Sequence, residues 1–160
     1  MSVTTSHVED MLTDLKSFLT TNYGTYLTAI QTAKADGITN PAPDSEDIVL
    51  GAMDLAGYDD YPVVFLVPIG EEYEAVTMSR DSMKATITIW IVCGGFAAAT
   101  LNKMIWRYAA EMRNVLRDGP TWGGKVDMSE VTEIAYFPVV AGEDELQAAR
   151  VTVVAQREAA

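Results

Sequence analysis

A chain of 160 residues, 49% of them hydrophobic, is long enough for one domain with a substantial core and too apolar for general disorder. Its net charge of −12, from 23 acidic against 11 basic residues, disfavours adhesion to nucleic acid or to anionic membranes. The single cysteine excludes an internal disulfide, and the single histidine leaves little material for a catalytic triad.

The first ten residues carry neither a basic region nor an apolar run, so a cytoplasmic site of synthesis is expected rather than a signal peptide. Ser6 or Thr5 can cap a first helix, and Glu9, three residues after Ser6, completes a capping-box pattern. Val8, Met11, Leu12, Leu15, Phe18 and Leu19 form one helical stripe. Gly24 interrupts it, and Tyr23, Tyr26, Leu27 and Ile30 resume the spacing, which predicts a kinked or broken helical region over residues 6–37. Residues 38–47, rich in Pro, Asn and Asp, read as a loop. Residues 48–55 fit a short strand or one helical turn, and residues 57–60 a turn.

Val63, Val64, Phe65, Leu66 and Val67 make a short apolar run between Pro62 and Pro68. A strand buried on both faces is expected there, with the prolines at its ends because neither can donate to a ladder. Gly70 is expected to turn the chain into an acidic strand or loop, residues 71–78, carrying Glu71, Glu72 and Glu74.

The strongest pattern follows. Met83, Ala85, Ile87, Ile89, Ile91 and Cys93 alternate with Lys84, Thr86, Thr88, Trp90 and Val92, a period of two that predicts a strand with the first set facing a core. Gly94 and Gly95 stop it. Leu101, Ile105, Tyr108, Met112 and Val115 or Leu116 then share one helical stripe, Trp106 points away from it, and Gly119-Pro120 closes the helix. No charge separates Lys84 from Lys103, but the threonine alternation and glycine pair exclude a spanning helix, which needs ~20 predominantly apolar residues. Residues 121–124 form a loop around Trp122, residues 126–138 are extended, and residues 141–144 turn a hairpin. Residues 146–155 form the last strand, with Val151, Val153 and Ala155 on one face, and residues 156–160 are expected to fray.

This order predicts a single α+β domain over residues 1–160, with an N-terminal helical region at 6–37 and a core at 48–157. A mostly antiparallel sheet would carry the long helix on one face, together with an N-terminal helix.

Chemistry is sparse. His7 stands at the N-terminal fringe with nothing placing it near Cys93, which reads as a small buried hydrophobe. Glu9, Asp10 and Asp14 are expected on an exposed helix face, and Asp44, Glu46, Asp47, Asp59 and Asp60 in loops; none fits a calcium-loop pattern. Lys103 and Arg107, like Arg113 and Arg117, lie one helical turn apart and are expected to pair with neighbouring acids. No catalytic residue, metal ligand or cofactor is assigned, and an enzyme is not expected.

The proline-flanked strand at 61–68, the Thr-Ile-Thr-Ile-Trp-Ile-Val strand at 86–92, the long helix at 97–116, the Trp/Gly loop and the final Ala-Arg-Val-Thr-Val strand at 149–153 together resemble the tail-completion proteins of tailed bacteriophages. These include tail terminators and related neck proteins. The resemblance implies a virion structural protein of the neck, assembled in the bacterial cytoplasm, that forms a ring, commonly a hexamer, capping the tail tube. Its partners would be its own copies, the tail-tube protein and a head connector or stopper, with DNA passing through the lumen unbound and no membrane involved. Under that expectation Asp59, Asp60, Glu71, Glu72 and Glu74 are candidate lumen-facing acids, since carboxylates repel phosphate. Trp90, Trp106 and Trp122 are candidate subunit or partner contacts. An alternative expectation is an oligomeric small-molecule-binding or regulatory α+β domain with its pocket between sheet and helix.

Overall fold

The computed structural model describes residues 7–51, 61–78, 80–141 and 144–159. The chain runs α1 (His7–Asn22), α2 (Leu27–Lys34), β1 (Ile48–Leu50), β2 (Val63–Thr77), β3 (Arg80–Gly94), α3 (Ala98–Asp118), β4 (Met128–Ala141) and β5 (Asp144–Ala159). The five strands form one sheet in the order β1-β2-β3-β5-β4. Only β1 and β2 run parallel; the other pairs are antiparallel. β3 and β4 both run opposite to β5, which lies between them, so they are parallel to one another and α3 is the crossover that joins them. This is the α+β architecture that the sequence predicts, with the long helix on one face and an N-terminal helix beside it.

The alternation in β3 decides the layering. Met83, Ala85, Ile87, Ile89, Ile91 and Cys93 are all buried, beside Val64 and Leu66 of β2 and Val151, Val153 and Ala155 of β5. Against them α3 lays Leu101, Met104, Ile105, Tyr108, Met112, Val115 and Leu116, and α1 adds Met11, Leu12, Leu15 and Leu19. A smaller cluster occupies the opposite face at the Gly94 end of the sheet: Val63, Phe65, Val92, Leu146 and Ala148, bordered by Trp90 and Phe137. The run at 63–66 is therefore buried on both faces, as its composition predicts.

Three expectations are corrected. Pro68 does not end its strand, and Gly70 does not turn the chain; β2 continues to Thr77 with a register shift between Pro68 and Gly70. The reason is the direction of the peptide groups. The Val64 N–H and the Leu66 carbonyl bond toward the β1 side, to Asp47 and Gly51, so the two-residue period aims the Pro68 nitrogen at the outer edge, beyond the end of β1. The expected frayed tail is strand as far as Ala159, because Lys84 and Met83 of β3 stand opposite Gln156 and Arg157. Asp14 does not stand on a free surface but pairs with Arg157, at 3.2 Å, tying α1 to that end of β5. The expected capping residues Ser6 and Thr5, and the turn at 57–60, lie outside the described residues.

The break between α1 and α2 is fixed from α3. Tyr23 stacks on Tyr108 at 6.3 Å between ring centroids, and its hydroxyl donates to the Tyr108 carbonyl at 3.0 Å. Glu111 is wholly buried; its Oε1 accepts the Tyr26 backbone N–H at 3.0 Å, and its Oε2 has no hydrogen-bond partner. Burial pushes this carboxyl up to about 7. The folded state thus holds the proton more tightly than the unfolded chain, whose ordinary value is 4.5. The associated stability is fully present below that value and is lost as pH rises to about 7. Glu111→Gln keeps the acceptor and removes the titration. In urea unfolding it is expected to match the parent near pH 4.5 and to exceed it by about 2–3 kcal/mol at pH 8; parallel pH profiles would show that the carboxyl is not strained by burial.

Candidate functional site

α3 spends its apolar stripe on the core, and what remains forms a second stripe facing outward. Lys103, Trp106, Ala110, Arg113 and Arg117 are spaced by three and four residues and are all exposed, with Trp106 at 52% of its surface. α3 carries two acids. Glu111 is on the buried side. Asp118, at the end, receives the Tyr26 hydroxyl and lies 3.4 Å from Arg117, and these bonds hold its carboxyl below the usual range.

Beside this stripe a groove of about 590 Å³ opens between α2 and α3, lined by Ile30, Lys34, Asp36, Lys103, Trp106, Arg107, Ala110 and Asn114. Its floor is Arg107, which is 6% exposed, donates to Asp36 and reaches the Ile38 carbonyl at 3.4 Å. The bond from Arg107 is the main reason the Asp36 carboxyl is held low, and Lys103 lies 3.8 Å from the same group. The loop after α2 is latched to α3 by two further bonds, Asn40 Nδ2 to the Met104 carbonyl at 2.9 Å and the Tyr108 hydroxyl to the Pro41 carbonyl at 2.6 Å. The expected pairing of Lys103 and Arg107 with an acid is thus found, on Asp36. Stripe and groove together place five cations, Lys34, Lys103, Arg107, Arg113 and Arg117, against two carboxylates, Asp36 and Asp118.

The sheet face turned away from the helices has the opposite character. Strand register places Glu72 and Glu74 of β2, Glu130 and Glu133 of β4 and Glu158 of β5 on it, against Lys84 and Arg150. Glu133 bonds Arg150 at 2.8 Å, and the Arg150 guanidinium lies 5.8 Å from the Trp90 ring and 5.3 Å from that of Phe137. Trp90 and Phe137 pack together at 5.5 Å, so an aromatic pair and its cation mark where the apolar end of this face meets the charged end.

The remaining expected site residues divide as follows. Glu71 does not join Glu72 and Glu74. Residues 71–74 are strand rather than loop, so successive side chains alternate, and Glu71 stands on the helix-side face with Tyr73, whose hydroxyl donates to it at 2.6 Å. All of residues 68–77 are exposed, among them Ile69 and Tyr73, and the outer edge of β2 beyond Leu66 has no neighbouring strand among the described residues. Asp59 and Asp60 lie outside the described residues. Trp106 is a surface residue and Trp90 is half-buried, whereas Trp122 is corrected to the core: it is 2% exposed within the main cluster, at a φ of 51° beside Gly123 and Gly124. Sequence reasoning missed the acidic sheet face, since its members come from three strands and only the register assembles them.

Cys93 is buried and its thiol is pushed up to about 12 by desolvation. Among the described residues no group of three His, Cys, Asp or Glu is arranged to hold a metal ion, and no helix is long and apolar enough to cross a membrane. No protein-family model matches the chain, and no curated protein does.

The two differently placed tryptophans give a direct check by denaturant unfolding. Trp122→Ala is expected to cost about 3–5 kcal/mol, as for an aromatic removed from a packed core. Trp106→Ala is expected to change stability by about 1 kcal/mol or less.

Proposed function

We propose that this chain is a non-enzymatic virion protein of the head–tail neck of a tailed bacteriophage. In this reading it is a tail terminator that closes into a ring, a hexamer by its family resemblance, caps the tail tube and meets the head connector or stopper. The observation that carries the reading is the pair of unlike faces on opposite sides of one sheet–helix body, an acidic sheet face and a cationic, tryptophan-bearing helix face. A two-fold dimer sets a patch against its own copy, whereas a ring sets one patch against a different one, and closure follows from the angle between them. The element order also supports it, since an N-terminal helix, the strand that begins after Pro62, the Thr-Ile strand, the long helix and the Arg-Val-Thr-Val strand follow one another as the resemblance implies.

Charge fits the same role. A chain at −12 lining an opening repels the phosphate backbone, so DNA slides through without sticking. The bare edge of β2, with Glu71 on its helix side, is the stretch assigned to the lumen. Assembly would take place in the bacterial cytoplasm and the product would reside in the virion.

Native mass spectrometry with negative-stain imaging of the same sample tests the reading. The expected result is a closed ring with a central hole, alone or on added tail tubes. A chain that stays monomeric in both conditions would exclude it.

A further inference from the structure

We propose that neighbouring copies in the ring meet face to back, the acidic sheet face of one packing on the outer stripe of α3 of the next. The inference rests on the ring reading above and adds which surfaces meet. Three observations lead to it. The two faces differ in charge: among the described side chains the sheet carries Glu72, Glu74, Glu130, Glu133 and Glu158 with Lys84 and Arg150, and the helix side exposes Lys34, Lys103, Arg113 and Arg117 with Asp36 and Asp118. Each has an aromatic element, Trp106 standing 52% exposed on α3 and the Trp90–Phe137 pair on the sheet. They also point in opposite directions from one body, because the α3 stripe is the back of the same helix whose front covers the other side of the sheet.

Dimensions are consistent. The 21 residues of α3 span about 30 Å. Four adjacent strands cover about 20 Å across the sheet. A contact of that size buries about 600 Å² on each partner, at the low end for a stable interface, so its strength depends on the charges and on the aromatic anchor. Self-pairing through the open β2 edge is the weaker choice, since Pro68, a register shift and three glutamates interrupt that edge. In the face-to-back arrangement this edge is left free to line the opening.

The test is a charge swap, read by native mass spectrometry and by sedimentation across a concentration series. Lys103→Glu with Arg113→Glu reverses the helix side; Glu130→Lys with Glu133→Lys reverses the sheet side. Each pair is expected to raise the dissociation constant between subunits about tenfold or more. The chain carrying all four changes faces opposite charges again and is expected to return to within about threefold of the parent. Trp106→Ala is expected to weaken assembly about tenfold with its melting temperature little changed. Where a reversal unfolds the chain, Lys103→Gln with Arg113→Gln replaces it. Rings that persist unchanged through both reversals would overturn this contact and leave the ring reading standing. A parent chain that forms no ring, alone or on tail tubes, would overturn both.

Discussion

Six alternate side chains of β3, from Met83 to Cys93, lie without solvent between the strands on either side and the helices above. β3 pairs with β2 over nearly its whole length and with β5 likewise, so most of its backbone groups are satisfied within the sheet. Its other face is polar over most of its length, with Lys84, Thr86 and Thr88 before Trp90 and Val92. A slip of one residue would exchange those two faces, placing the lysine and threonines under α3. Register here is thus set by burial, and the neighbours inherit it through their pairing.

The same constraint determines where the exposed surfaces lie. Because the apolar stripe of α3 must cover β3, the helix cannot rotate, and Lys103, Trp106, Arg113 and Arg117 are left on the far side. Glu111 then has a particular consequence. It is one of only two acids on α3, and it turns inward to hold the Tyr26 N–H at the junction of α1 and α2. The outer stripe is left with little to offset its cations, in a chain that is strongly acidic as a whole. Fixing the helical junction and creating a local positive surface are two results of one side-chain placement.

Periodicity made β3, α3 and the stripe of α1 legible in the sequence, since each pattern is contained within a single element. Of two strand ends, residues 71–77 are left open between strand and loop by the sequence and residues 156–159 read as a frayed tail; both carry little local signal and are extended because β3 lies alongside them. The sequence shows that Pro68 lacks an N–H but not which way its nitrogen points, and only the bonds to Asp47 and Gly51 fix that direction. Trp122 sits among glycines with no period around it, so nothing local distinguished a buried tryptophan from an exposed one. Of the candidate site, the outward stripe of α3 could be read as the complement of the buried one. The acidic sheet face could not, because Glu72, Glu133 and Glu158 are far apart in sequence and become neighbours only through strand order.

Opposed faces of unlike charge restrict the symmetry of any assembly built from them. A two-fold contact through the sheet face would set five carboxylates against five, and one through α3 would set its cations against themselves, both with a repulsion that grows as water is excluded. A head-to-tail contact replaces that repulsion with attraction at every junction, but it leaves one face of each terminal copy unmatched in an open chain. Closing the ring removes both unmatched faces at once. Exposed charge pairs are screened within about 8 Å at physiological salt, so the attraction acts only once the faces are close. The same screening shortens the repulsion that the net charge of −12 creates between copies.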